Sequence, residues 1–327
     1  MRQSPERKHK RRKPDMALLI QYTLVYASVL LLVALGGMYS ERSGVINIGL
    51  EGIMIFGALG GAMALYNMPE TTNSFVMVLV AFLASICMGM IASLLLAVAS
   101  ITFKADQTLA GTAINMLGAA AAVVITKSYT LKVEGKAATK LAYVFQREAL
   151  IFRVGKMEVS RFVIVTVILF AIATVVLYKT RFGLRLRACG EHPQAAASLG
   201  VDVIKMRYAG VLISGLFGGV GGITYITAAN SSWDFNAGVM GMGFLALAVM
   251  IFGQWKPMRI ALAALLFGIF QALASVYMGF SFLQKLPISG DIYKMLPYIV
   301  SLVVLALTSK KSRAPKAEGI PYDKGMR

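Results

Sequence analysis

Apolar runs of about twenty residues recur along most of the 327-residue chain, each long enough to cross a hydrocarbon core of roughly 30 Å as a helix. In lipid every backbone polar group must be satisfied inside the spanning structure, which leaves helices or closed barrels. Runs of this length select helices. The composition agrees: 57% of residues are hydrophobic and 15% are charged, against roughly 25% charged in soluble domains. The expected fold is all-α, a polytopic transmembrane helix bundle. Its 33 Lys and Arg against 15 Asp and Glu give a formal net charge of +18. In a soluble domain that excess would point to nucleic acid. Here the basic residues lie between apolar runs, where they hold loops in the cytoplasm. Membrane lipid is expected as a partner, and nucleic acid is not.

Residues 1–15 form a basic tail with the run RKHKRRK at Arg7–Lys13, expected to be cytoplasmic and within reach of anionic lipid. It leads into a full-length span without a small-residue cleavage site, so no removable leader is expected. Met16–Met38 reads as the first span, leaving the cytoplasm. Asn67–Ser74 carries no basic residue and reads as extracytoplasmic. Ser43–Tyr66, with both ends outward, then has to be broken or re-entrant. Phe75–Phe103 returns inward and residues 107–126 go out again. The polar stretch 127–161 is placed outside despite its basic residues, because long loops translocate with less regard for charge. Phe162–Tyr178 returns to a basic cytoplasmic loop, 179–207.

Tyr208–Ala228 carries GLFGGVGG at Gly215–Gly222, suited to close helix packing. An outer loop with Trp233 and Asp234 follows, in which Trp233 and Phe235 read as an interfacial belt. Met242–Gly253 is short for a crossing. The turn QWKPMR (Gln254–Arg259), the span Ile260–Phe280, an outer loop Ser281–Asp291 and the span Ile292–Thr308 complete the domain 16–308. Residues 309–327 form a second cytoplasmic tail. The sum is about eight crossings plus one broken or re-entrant helix, with both termini cytoplasmic.

Within Ser43–Gly61, SGVINIGLEGIMIFGALGG, Asn47 and Glu51 are four residues apart and share a helix face. A carboxylate in hydrocarbon is costly and normally faces a bundle interior or a wet cavity. The glycines allow close backbone approach or a helix break. Asn236–Gly253 echoes this stretch, and a pair of interrupted apolar segments in corresponding positions is the sequence pointer to a central pathway between two repeats. Asn47, Glu51 and Asn115 are therefore expected to line a substrate pathway. Asn47 and Asn115 can both donate and accept, as ribose hydroxyls or base edges require. Glu51 suits a helix break better than a neutral ligand.

No phosphate-cradling P-loop, nucleophile elbow or paired-carboxylate site is present, so no catalytic residue is assigned. Cys87 lies in an apolar run and Cys189 in a basic loop, which argues against a disulfide. His9 and His192 lie in no cluster of metal-ligand spacing, so no metal site is expected. In RLRACGEHPQAAASLGVDVIKMR (Arg185–Arg207), Glu191 and Pro193 are expected to open a short helix. Small residues give it a smooth face and Gly200 ends it. Such an element suits a groove on a partner protein, or else simply connects two spans.

These segments resemble the inner-membrane permease subunits of ATP-binding cassette importers, in the branched-chain amino acid and simple-sugar superfamily, and within it the nucleoside type. The resemblance runs from about Leu18 to Tyr322. It is carried by ALGGMYSERSGVINIGLEGIMIFGA (Ala34–Ala58), GTAINMLG (Gly111–Gly118), LRACGEHPQAAASLGVDV (Leu186–Val203), GMGFLALAVMIFGQWKP (Gly241–Pro257), KMLPYIV (Lys294–Val300) and GIPYDK (Gly319–Lys324). The resemblance implies that Gly190, Glu191, Pro193, Ala195, Ala196 and Gly200 form a coupling helix that docks on a separate ATPase. It further implies a second, related permease chain and a substrate-binding lipoprotein in a bacterial inner membrane. ATP and Mg²⁺ would sit on the partner ATPase, and this chain would bind no cofactor. Nucleoside import is the expected function. A simple sugar as cargo is the alternative, and a proton-driven carrier is a more distant one.

Overall fold

The computed structural model describes residues 16–308 and 314–325, apart from 156, 229, 278, 279, 281–289 and 324. The basic tail 1–15, most of the loop Ser281–Asp291 and the start of the tail 309–327 lie outside the described residues. The expected bundle is present. Among the described residues, six helices are long and apolar enough to cross a membrane, and two shorter apolar helices, Leu50–Tyr66 and Met242–Phe252, stand among them.

In chain order the helices are α1 (Met16–Arg42), α2 (Leu50–Tyr66), α3 (Ser74–Ala97, prolonged by a π-turn at Val98–Thr102) and α4 (Gln107–Glu134). After a structured loop come α6 (Arg161–Lys179), the short α7 (Arg181–Glu191) and α8 (Pro193–Ser198), and then α9 (Val203–Ala228). The set closes with α10 (Met242–Phe252), α11 (Pro257–Val276) and α12 (Gly290–Thr308). The loop between α4 and α6 holds β1 (Lys140–Ala142), α5 (Val144–Leu150), β2 (Ile151–Val154) and β3 (Met157–Ser160). β2 and β3 form an antiparallel hairpin, and β1 pairs antiparallel with β4 (Ser232–Asp234), with Leu141 opposite Trp233.

The stretch expected as a polar loop from 127 to 161 is thus shorter and more ordered. Its first residues are the last turns of α4, which ends at Gly135 with φ +70°, the left-handed conformation that closes many helices.

α9 is the axis of the bundle, and its glycines are sorted by face. Gly215 and Gly219 lie against Ser93, Gly89 and Ser85 of α3. Gly218 and Gly222 lie against Ile53 and Met54 of α2, and Gly221 against Val33 of α1. Spacings of three and four residues put such positions on common faces. The result is close packing of three helices round a fourth, backbone against backbone at α3 and α2 and backbone against the Val33 side chain at α1. In a membrane, where apolar burial drives little association, that contact is what holds helices together.

Side-chain contacts fix which end of each helix lies where. At one end, the basic end, Arg42 pairs with Glu191 at 3.5 Å and donates to the carbonyl of Trp255. At the far end, Gln21 Oε1 accepts from the Glu158 amide at 3.2 Å, Tyr26 is bonded to Ser275, and Tyr66 donates to Glu134. α1 therefore runs from the far end to the basic end, and α2 runs back. This corrects the expectation that both ends of Ser43–Tyr66 face outward. The stretch breaks at residues 45–47 and then crosses. It also corrects the paired termini, because Met16 and the segment 314–323 lie at opposite ends. RKHKRRK predicts the opposite direction for α1 by a statistical preference, whereas packing against the β3 segment, α9 and α11 sets it.

Single cysteines introduced as Met16→Cys and Lys316→Cys, in a chain with Cys87→Ser and Cys189→Ser, are expected to react with a membrane-impermeant maleimide from opposite faces. Labelling of both from one face would restore an even number of crossings.

Candidate functional site

The two short apolar helices are the interrupted ones, and their starts meet. Ahead of α2 the chain has no regular structure at residues 45–47. Ahead of α10 it passes through a 3₁₀ turn (Phe235–Ala237) and positive φ values at Gly238, Met240 and Gly241. Neither helix caps itself with a side chain. The first amides of a helix need acceptors, and in this bundle other helices supply them.

Asn115 of α4 accepts from the Gly52 amide at 2.8 Å and donates to the Ile48 carbonyl at 2.9 Å. Glu51 of α2 accepts from the amides of Gly241 at 2.7 Å and Gly243 at 2.6 Å. A carboxylate at a helix N-terminus is stabilised by the amides and by the macrodipole. Gly243 has to be glycine, because a Cβ there would fall 2.5 Å from the Glu51 backbone.

A cavity of about 520 Å³ opens beside these starts, lined by Glu51, Asn115, Thr112, Met116, Phe235 and Asn236 among others. Ligand sites typically span roughly 300–1,000 Å³. Two of the three residues expected in a pathway, Glu51 and Asn115, reach it. Asn47 does not: it is fully buried on the α9 side, where Nδ2 donates to Ser214 Oγ at 2.7 Å. Phe235, expected in an interfacial belt, is instead 2% exposed and faces the cavity. Asn236 is held by Asp234 and Thr139. Its only sequence signal was its place at the start of the second interrupted segment.

At the basic end, Glu191 is the last residue of α7 and not the opening acid of α8. Its partner is Arg42. His192, extended at φ −144°, breaks the two helices, and Pro193 starts α8. Gly190 lies so close to the Arg42 carbonyl that no side chain would fit. Ala196 is 3% exposed and packs with Cys189 and Val203, while Ala195 is exposed and Leu199 is 85% exposed. Gly200, φ +79°, ends the turn. The smooth face of α8 turned away from the bundle is therefore Gln194, Ala195 and Ser198, with Leu199 beside it.

A bundle broken at two helix starts round a membrane cavity, with a short capped helix carried at one end, is the build of a membrane permease. The chain belongs to the branched-chain amino acid transport system / permease component family, whose profile matches residues 19–305. It is 40% identical over 323 residues to the guanosine ABC transporter permease protein NupQ of Bacillus subtilis, covering 95% of this chain and 98% of that one. It is 35% identical over 313 residues to the nucleoside ABC transporter permease protein NupC of Lactococcus lactis, covering 94% and 98%. The putative glucose ABC transporter permease protein TsgC13 of Haloferax volcanii is 29% identical over 313 residues, covering 88% and 90%.

Proposed function

We propose that this chain is one permease subunit of an ATP-driven nucleoside importer, with its transmembrane domain at 16–308. The observation that carries the reading is the cavity between the two interrupted helices, a geometry typical of transport pathways. The cargo follows the guanosine permease NupQ and the nucleoside permease NupC, to which the chain is 40% and 35% identical. On this reading Glu51 and Asn115 shape the pathway wall, their polar atoms engaged with backbone, and Asn47 braces the same wall from behind. Phe235 offers a face for a base to stack on, and Asn236 beside it in the lining offers a side-chain amide to a sugar hydroxyl.

α4 carries exposed Leu109, Met116 and Val124 beside Thr112, a side that a second, related permease would cover. ATP hydrolysis falls to a separate cassette subunit docked on Gln194, Ala195, Ser198 and Leu199, and delivery of substrate to a binding lipoprotein. In a bacterial inner membrane this makes the basic end cytoplasmic, with residues 314–323 inside and Met16 outside.

Uptake of radiolabelled guanosine, uridine, adenosine and ribose, in cells with and without the chain, tests the cargo. Loss of nucleoside uptake alone is expected. Loss of ribose uptake with nucleosides untouched would replace the cargo and keep the machine.

Docking has its own test. Ala195→Trp adds bulk on the outward face of α8, and it is expected to lower uptake about tenfold, a typical size for coupling between sites. The amount of chain in the membrane should not change. Ala196→Trp, turned inward, should instead lower that amount.

A further inference from the structure

The segment 314–323 is not a helix or a strand, yet it is fastened along its length. The Ala317 amide donates to the Gly190 carbonyl at 2.8 Å, next to the end of α7. The Glu318 carboxyl is hydrogen-bonded to that of Glu41, which also accepts from Trp255 Nε1 at 2.5 Å. Burial pushes Glu318 upward, and the nearby Arg42 guanidinium pulls it back.

Gly319 turns with φ +77° over Ile46, where a Cβ would fall 2.8 Å from Cδ1. The Ile320 carbonyl accepts from Nη1 of Arg207, a side chain 1% exposed at the start of α9. Tyr322 packs against the small cluster formed by Cys189, Ala196 and Val203. Asp323 pairs with Lys104, in the turn between α3 and α4, at 3.2 Å. One strand of chain thus touches the α7–α8 loop, the end of α1, the break before α2, the α3–α4 turn and the start of α9.

We propose that residues 314–323 are a positioning strap that locks the α7–α8 loop to the basic ends of α1, α3 and α9, so that a displacement of α8 reaches the spans as one movement. The proposal rests on the reading of α8 as the contact with an ATPase. Without the strap, α8 is joined to the bundle only through α9 and through α7, whose Glu191 pairs with Arg42, and a push on it is absorbed by the hinge at His192. With it, the push arrives at Ile46 and Glu41, at the break that leads to Asn115, Glu51 and the cavity.

The test uses the complete transporter in proteoliposomes, with radiolabelled guanosine and a phosphate-release assay. A chain ending at Arg313 keeps every span. It is expected to sustain ATP hydrolysis while guanosine taken up per ATP falls about tenfold or more. Glu318→Ala should lower that ratio as well, and Glu318→Gln, which keeps a hydrogen bond to Glu41, should restore it. Unchanged coupling in the shortened chain overturns the proposal, as does joint loss of hydrolysis and uptake. Should the shortened chain fail to reach the membrane, the two Glu318 variants decide, and equal behaviour of Ala and Gln overturns it.

A cargo-independent readout separates the strap from the nucleoside reading. Cys189 is buried in the cluster that Tyr322 packs against, and burial pushes its thiol up to about 11. In a Cys87→Ser chain, Tyr322→Ala is expected to speed alkylation of Cys189 by N-ethylmaleimide, and an unchanged rate overturns the strap. A wild-type complex that moves no nucleoside refutes only the cargo.

Discussion

Glu51→Ala is expected to abolish transport and to lower the melting temperature of the purified protein by many degrees. The carboxylate is the acceptor for two amides at the start of α10, at 2.7 and 2.6 Å. Hydrogen bonds to a charged group contribute roughly 1.5–3 kcal/mol each, so the pair is worth about 3–6 kcal/mol before relaxation. Solvent in the adjoining cavity offsets part of that loss. Glu51→Gln keeps one good acceptor and is expected to recover part of the stability. A thermal melt in detergent, followed by guanosine uptake, checks both. If Glu51→Ala melts like the wild type and only binding is lost, then Glu51 is a ligand residue and not a cap.

Gly219→Leu should have an effect of similar size by a different route. Gly219 faces the Ser85 carbonyl and Gly89 of α3, and a Cβ on Gly57 of α2 would run into its Cα. Overpacking in a core typically costs about 1–3 kcal/mol when side chains can shift. Here the obstacles are backbones on two sides, so the helices themselves have to part. Gly219→Leu is expected to leave little monodisperse protein on size-exclusion chromatography. By contrast Gly135→Ala, with open space round its Cβ position, should cost only the strain of its positive φ. Equal yields for the two glycine variants would remove the three-helix contact from its central place.

The class of the fold was legible because it is written in local composition: runs of twenty apolar residues admit few alternatives. The two interrupted helices were legible for the same reason, since glycine spacing and shortness are properties of a segment. What could not be read was anything decided by a distant partner. Glu51 meets amides 190 and 192 residues further on, and no spacing rule connects them. Asn47 and Glu51 share a face only if the helix has started, but α2 begins at Leu50. Asn47 therefore sits before the first turn and points to Ser214. The direction of α1 does not follow from the basic run beside it, because the contacts of Gln21 and Tyr26 decide it. Glu191 was misjudged because a Pro two residues on suggested one helix start where a helix end and a helix start adjoin.

The way each interrupted helix borrows its cap has a bearing on how the chain is built into the membrane. α2 has its opening amide satisfied by Asn115, some sixty residues later in synthesis, and α10 has its own satisfied by a residue made long before. The first helix to emerge with a broken start is thus incomplete until α4 arrives, while the second finds its acceptor waiting. Biogenesis then has a built-in order: the early segment must linger beside the insertion machinery, or in its polar lumen, until its partner is translated. A ribosome stalled after α3 should leave α2 exposed to proteases, and one stalled after α4 should not.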